Sequence, residues 1–195
     1  MNAFEAPEHL PRRRTTRLKW LGKTVLKCMG WELSGELPSH HRKFIMPVAP
    51  HTSNWDFIVA IAAMFALDIK VTFLGKESIF KGAFGRWLTS LGGIGIDRSH
   101  RHGVVGQMVE RFAEQEDMIL ALAPEGTRSK TKEWKTGFIF IAKEANVPIV
   151  PVGLDYKAKQ VVFLPAYSVS ADIATELQTI KAMYKPFCAK NPHLV

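Results

Sequence analysis

The stretch KFIMPVAPHTSNWDFIVAIAAMFAL, residues 43–67, decides the fold. Lys43 to Ala49 is a short apolar run, and Pro50 stands at its exit, as expected of a strand that ends there. Ser53 to Leu67 is apolar enough for a buried helix, with Ser53 or Asn54 as its cap. Downstream the alternation continues. Lys70 to Leu74 is β-branched and aromatic and predicts a second strand. Phe84 to Leu91 predicts a short helix stopped by Gly92-Gly93, and Ile94 to Ile96 a brief strand. Val104 to Glu116 has helical spacing, whereas Asp117 to Ala123 is a continuous apolar strand broken by Pro124. Helix over 137–145, strands over 148–154 and 160–164, and a closing helix over 171–184 complete the series. Several strands are apolar on both faces. The expected fold is therefore α/β: one domain with a mixed, mostly parallel sheet covered by helices.

Composition narrows the function. The chain has 195 residues, 26 Lys+Arg against 18 Asp+Glu, and a formal charge of +8. Its hydrophobic fraction of 47% fills a core, which excludes a disordered chain. Cys28 and Cys188 are too few for a disulfide framework or a cysteine-based zinc site, and they fit a reducing compartment. The longest unbroken apolar run, Phe57 to Leu67, is too short for a membrane span of about 20 residues. The N-terminus does not read as a cleavable signal, since no long apolar region follows its arginines.

The charge is localised. Residues 1–30 hold seven Lys/Arg and two acids, a net of +5, and the rest of the chain carries +3. Leu18, Leu21, Val25, Cys28, Met29 and Glu32 recur at helical spacing, only the last breaking the apolar face; Trp20 and Trp31 flank it, and Lys19, Lys23 and Lys27 form a basic row. Such a helix suits a membrane surface. It equally suits a terminal helix docked on the core with its lysines in water. The boundary expected from this contrast divides a basic segment, 1–38, from a body, 39–195. A nucleic-acid partner is disfavoured, because the excess is confined to one Trp- and Leu-bearing helix and no reader motif appears.

Three polar clusters follow predicted strands, the place where open α/β sheets build sites. The first is Pro50-His-Thr-Ser-Asn-Trp-Asp56. An imidazole at His51 held by the Asp56 carboxylate has one nitrogen fixed as donor and the other free to take a proton. Ser53-x-x-Asp56 also matches a helix-capping box, which makes Asp56 structural. Both readings stand on these residues alone. The second cluster is Pro124-Glu-Gly-Thr-Arg-Ser129, where a glycine admits close approach to an anion and Arg128 can grip one bidentately. The third is Ile96-Asp97-Arg98. His100 and His102, two apart, are a weak basis for a metal. Neither a Gly-x4-Gly-Lys loop nor a Gly-x-Gly-x-x-Gly turn is present, so nucleotide hydrolysis and dinucleotide redox chemistry fall away.

In order and spacing these clusters resemble the glycerolipid acyltransferases of the lysophosphatidic acid acyltransferase type. The blocks are His51…Asp56, Gly93-Ile-Gly-Ile-Asp97-Arg98, Glu125-Gly-Thr-Arg-Ser129 and Val147-Pro-Ile-Val-Pro-Val-Gly153, covering about residues 44–156. Pro50 stands where many members have asparagine, and Gly95 where an aromatic residue is common. The resemblance implies that His51 is the general base on an acceptor hydroxyl, oriented by Asp56. The oxygen then attacks an acyl thioester directly, with no acyl-enzyme. It further implies acceptor binding by Arg98, Glu125, Gly126, Thr127 and Arg128. The acceptor is a lysophospholipid or related glycerolipid, and the thioester of CoA or acyl carrier protein is a co-substrate. No metal or resident cofactor is expected. The implied setting is the cytoplasm, with peripheral membrane attachment through the basic helix. The competing reading from the same His-Asp pair is a thioester hydrolase, although water needs no anion grip.

Overall fold

The computed structural model describes residues 4–96, 101–131, 133–170 and 172–195. They form one seven-stranded sheet in the order β1-β7-β6-β2-β5-β3-β4. The strands are β1 (Glu32–Gly35), β2 (Lys43–Ala49), β3 (Thr72–Lys76), β4 (Gly93–Ile96), β5 (Met118–Leu122), β6 (Val152–Asp155) and β7 (Gln160–Phe163). Pairing is parallel throughout except in the β6–β7 hairpin. The mostly parallel α/β sheet read from the sequence is the sheet observed.

Six helices cover it: α1 (Thr16–Met29), α2 (Asn54–Ala66), α3 (Gly82–Ser90), α4 (Arg101–Glu114), α5 (Gly137–Glu144) and α6 (Ile173–Met183). Alternation along β2 separates two cores. Phe44 and Met46 pack with Leu26 of α1 and with α2, while Ile45 and Ala49 pack with α4, α5 and α6. The crossovers through α2 and α3 run in the same direction along the sheet. Right-handed connection therefore places both helices on the α1 side. β2, β3, β4 and β5 are parallel, so their carboxyl ends meet at one edge, and the clusters of His51 and Glu125 follow β2 and β5 there.

Of the two readings of the N-terminal helix, docking on the core is observed. Its row Leu18, Val25, Leu26 and Met29 turns inward onto the core rather than away from it. Gly22 makes the close approach possible, since a Cβ there would lie 2.4 Å from the Ala66 amide nitrogen. Trp31 is buried, and only Trp20 and Leu21 among the large apolar residues of this helix are exposed, with Arg17, Lys23 and Lys27 beside them. Two of the seven basic groups are sutures to the body. Arg12 donates to the Leu67 carbonyl at 2.9 Å, and Arg13 donates to the Leu91 carbonyl and lies 5.6 Å from the Phe65 ring. β1 follows directly and pairs with β7. The boundary expected at 38/39 thus falls between two strands of one sheet. Among the described residues no helix is long and apolar enough to cross a membrane.

Candidate active site

The site begins with the start of α2. Ser53 is extended, with φ −149° and ψ 157°, and its hydroxyl accepts from the Trp55 amide at 3.2 Å. Asp56, in the first turn, reaches back so that Oδ2 accepts from the Ser53 and Thr52 amides, each at 2.8 Å. This is the capping box, and it holds a carboxylate at the electropositive end of a helix. The same Oδ2 lies 3.2 Å from His51 Nδ1. A separation of five residues exceeds the helical step of four, yet the pair meets because His51 precedes the cap and the chain folds back over Asp56. The capping and orienting readings are both true of one oxygen.

The other oxygen is also engaged. Oδ1 accepts from the Tyr156 hydroxyl at 2.5 Å, from the residue that follows β6. Burial pushes the Asp56 carboxyl up, but the hydrogen bonds from His51, Tyr156 and the Ser53 amide outweigh it. The net value lies below the ordinary carboxylate range. Asp56 is thus ionised and 2% exposed. Burial and the adjoining Asp56 carboxylate raise the Tyr156 phenol far above its usual value, so it acts as a fixed donor. Its ring meets Trp31 edge-on, with centroids 4.8 Å apart.

The Glu125 cluster comes to the same place. Both Glu125 oxygens accept from the His51 backbone amide, at 3.0 and 3.1 Å. This carboxyl is raised by burial, and the His51 amide opposes the rise. Its observed work is to hold the main chain of His51. Gly126 has φ 68°, a left-handed turn that favours glycine; after it Thr127 and Arg128 are exposed, and Thr127 Oγ1 accepts from the Ser129 amide at 3.2 Å. Arg128 Nη1 donates to Asn54 Oδ1, beside the cap of α2. Arg98 lies outside the described residues, as does Asp97.

Sequence reasoning missed three contributors. Tyr156 is separated from Asp56 by 100 residues and carries no motif. Asn191 bolts the His51 loop by donating through Nδ2 to the Thr52 carbonyl at 2.8 Å and through its amide to Thr52 Oγ1 at 3.2 Å. Lys190 Nζ lies 4.7 Å from the Trp55 ring and 5.9 Å from the Tyr156 ring, a further cation over residues that flank Asp56. Among the described residues no cluster of His, Cys, Asp and Glu is arranged to hold a metal ion.

From His51 and Asp56 an apolar cavity of about 170 Å³ runs between α2 and the sheet. Phe57, Ile61 and Ala63 form its helix wall, Met46 and Phe73 its sheet wall, and Ile69 lies toward the far end of α2. An imidazole fixed at the mouth of an apolar slot can deprotonate a hydroxyl while a chain lies in the slot.

Comparison with known proteins adds to this geometry. A family model described as Acyltransferase matches residues 32–155. The chain is 35% identical over 114 residues to the 1-acyl-sn-glycerol-3-phosphate acyltransferase of Escherichia coli, covering 54% of this chain and 44% of that protein. It is 31% identical over 140 residues to the protein of the same name from Cocos nucifera, covering 68% and 46%. The chain thus spans about half the length of the curated relatives it matches. The crystal structure of the 1-acyl-sn-glycerophosphate (LPA) acyltransferase from Thermotoga maritima superposes with a TM-score of 0.59 at 19% identity. That superposition covers 87% of this chain and 76% of the other, and it is a likeness of fold.

Proposed function

The chain belongs to the acyltransferase family through residues 32–155, and from that premise we propose that it is an O-acyltransferase carrying a fatty acyl group from a thioester to a glycerolipid hydroxyl. The observation that carries the reading is the His51–Asp56 pair, 3.2 Å apart, at the mouth of an apolar slot. With Nδ1–H committed to Asp56, Nε2 takes the proton of the acceptor hydroxyl. The oxygen attacks the thioester carbonyl, and the tetrahedral adduct collapses with loss of the thiolate. That thiolate recovers the proton from the imidazolium, leaving an ester and a free thiol. No side chain is acylated. A hydroxyl is a very weak acid, so alignment beside a fixed imidazole matters more than matching of pKa values.

The slot under α2 takes the acyl chain, and the thioester is that of CoA or of acyl carrier protein. The acceptor is a lysophospholipid or related glycerolipid whose phosphate meets Arg128, Arg98 and Lys190. Glu125, Gly126 and Thr127 shape that end of the site, with Glu125 acting through the His51 amide. The free, exposed Cys28 and Cys188 support work in a reducing compartment, on the cytoplasmic side of a membrane. Attachment through the N-terminal helix uses its outer face, Trp20 and Leu21 with Arg17, Lys23 and Lys27, since the inner face is occupied by α2.

The test is His51→Ala assayed with labelled acyl-CoA and acyl carrier protein against a panel of lysolipids. Loss of the imidazole removes transfer by at least about 10²-fold. The fold remains, because Glu125 holds the backbone amide, which alanine retains. Near-normal turnover by the variant sinks the mechanism. Release of free fatty acid without esterified product assigns the pair to water instead.

A further inference from the structure

The large apolar side chains left exposed are not spread evenly. Nine are exposed among the described residues, and seven of them lie on α1, α2, α3 and the 3-10 turn Glu77–Phe80. Trp20 and Leu21 belong to α1, and Trp55 and Ile58 to the first turns of α2 beside His51. The remaining three lie on the 3-10 turn and α3: Ile79 at 44%, Phe84 at 59% and Trp87 at 46% exposure. Phe84 and Trp87 are one turn apart on α3, with ring centroids 5.5 Å apart. Gly85 and Leu88 are buried, so the helix already has an inner face, and the exposed aromatic pair lies on the face adjoining it, about a quarter turn round the helix. Gly85 sits against the Phe80 backbone, where a Cβ would lie 1.9 Å from its carbonyl carbon. The 3-10 turn and α3 are therefore packed together as one unit.

This unit also carries charge. Lys76, Lys81 and Arg86 are exposed around the aromatic pair, and Glu77 is the single acid among them. An exposed apolar patch rimmed by cations fits an anionic bilayer surface. Aromatic rings enter the headgroup region there, and lysine and arginine meet lipid phosphates. Position favours the same partner. The unit follows β3 at the carboxyl edge of the sheet, starting three residues beyond Leu74, which lines the acyl slot. It lies on the side of the sheet that α1 and α2 cover, and Arg13 ties the segment before α1 to Leu91 at the end of α3.

The geometry points to the 3-10 turn and α3 as a membrane-docking surface, separate from the N-terminal helix, that seats Ile79, Phe84 and Trp87 in an anionic lipid interface. Lipid as the partner rests on the reading of the protein as a glycerolipid acyltransferase, whereas the surface itself is tested without turnover.

The full chain is cosedimented with vesicles of phosphatidylcholine alone and of phosphatidylcholine mixed equally with phosphatidylglycerol. Phe84→Gln combined with Trp87→Gln lowers partition into the anionic vesicles about tenfold or more. Lys81→Glu combined with Arg86→Glu also lowers it, and added salt erases the difference between that variant and the native protein. Circular dichroism and transfer to a short-chain, water-soluble acceptor show that the variants are folded. Undiminished partition of the aromatic variant overturns the proposal, as does a native dimer that the same variant converts to monomer. Binding through the patch by a protein that transfers no acyl group refutes the enzymatic reading alone. Acyl transfer by a protein whose vesicle binding ignores these substitutions refutes the surface alone.

Discussion

Tyr156 donates its hydroxyl to Asp56 Oδ1 at 2.5 Å, on the carboxylate oxygen that His51 does not use. The carboxylate is thereby clamped from both ends, by Tyr156 on Oδ1 and by His51 and two helix-entry amides on Oδ2. With neither oxygen free to rotate, the imidazole it holds has one orientation and one tautomer. In the proposed mechanism Tyr156 is a positioning residue, since it would reach the reacting atoms only through Asp56.

Tyr156→Phe removes that clamp without changing the ring. A buried carboxylate oxygen loses its partner, and kcat falls roughly three- to thirtyfold. KM for both substrates is unchanged, because nothing they touch has moved. The ring-nitrogen resonances of His51 report a mixture of tautomers in place of one. Unaltered kcat with a single native tautomer shows that the clamp is dispensable.

Asp56→Asn separates the two duties of that side chain. The amide has one acceptor oxygen for donors that now share two, and its nitrogen cannot accept from His51. Acyl transfer drops by about 10²–10⁴-fold. The pH dependence of stability changes as well. Asp56 lies below its ordinary value in the folded protein, so it contributes stability that is fully present above the unfolded pKa of about 3.9. That contribution is lost as pH falls through the lower, folded value. Urea midpoints therefore separate native from variant at neutral pH and converge in strong acid. Parallel curves down to the acid limit count against an ionised, hydrogen-bonded Asp56.

The slot predicts a chain-length effect. Ala63 is seven residues beyond Asp56, about 10 Å further along the α2 axis, and lines the cavity. Ala63→Phe places a ring across it. Transfer of long acyl chains falls at least about tenfold, while the shortest chains are transferred at close to the native rate. A thermal midpoint within a few degrees of native shows that the ring occupies the slot instead of disrupting α2. Equal losses for all chain lengths place the acyl group elsewhere.

What the sequence disclosed follows the range of the forces involved. The alternation from Lys43 onward is local, and so are the cap at Ser53 and the left-handed turn at Gly126. Glu32–Gly35 was not legible as a strand, because Glu-Leu-Ser-Gly has no β signature. It is a strand because β7 lies beside it and pairs Glu32 with Gln160 through to Gly35 with Phe163. Amphipathicity of the N-terminal helix was visible, but not which side faced inward. Gly22 decides that by allowing backbone contact with α2. Arg12 and Arg13 counted as surface charge in the composition, whereas their observed partners include main-chain carbonyls. Within the site, the His-Asp pair was legible from spacing and the Tyr156 clamp was not, since only the completed sheet brings β6 to the start of α2.

The sutured helix has a practical consequence. A chain trimmed to begin after Gly30, on the view that the basic segment is a removable tail, loses the partner of Ala62, Phe65 and Ala66 on α2. Those side chains are buried in the intact protein. Shortened in this way the protein presents a sticky apolar furrow to solvent and loses seven of its positive charges. Both changes favour precipitation, so the truncation that looks like the route to better behaviour in solution is the route to aggregation.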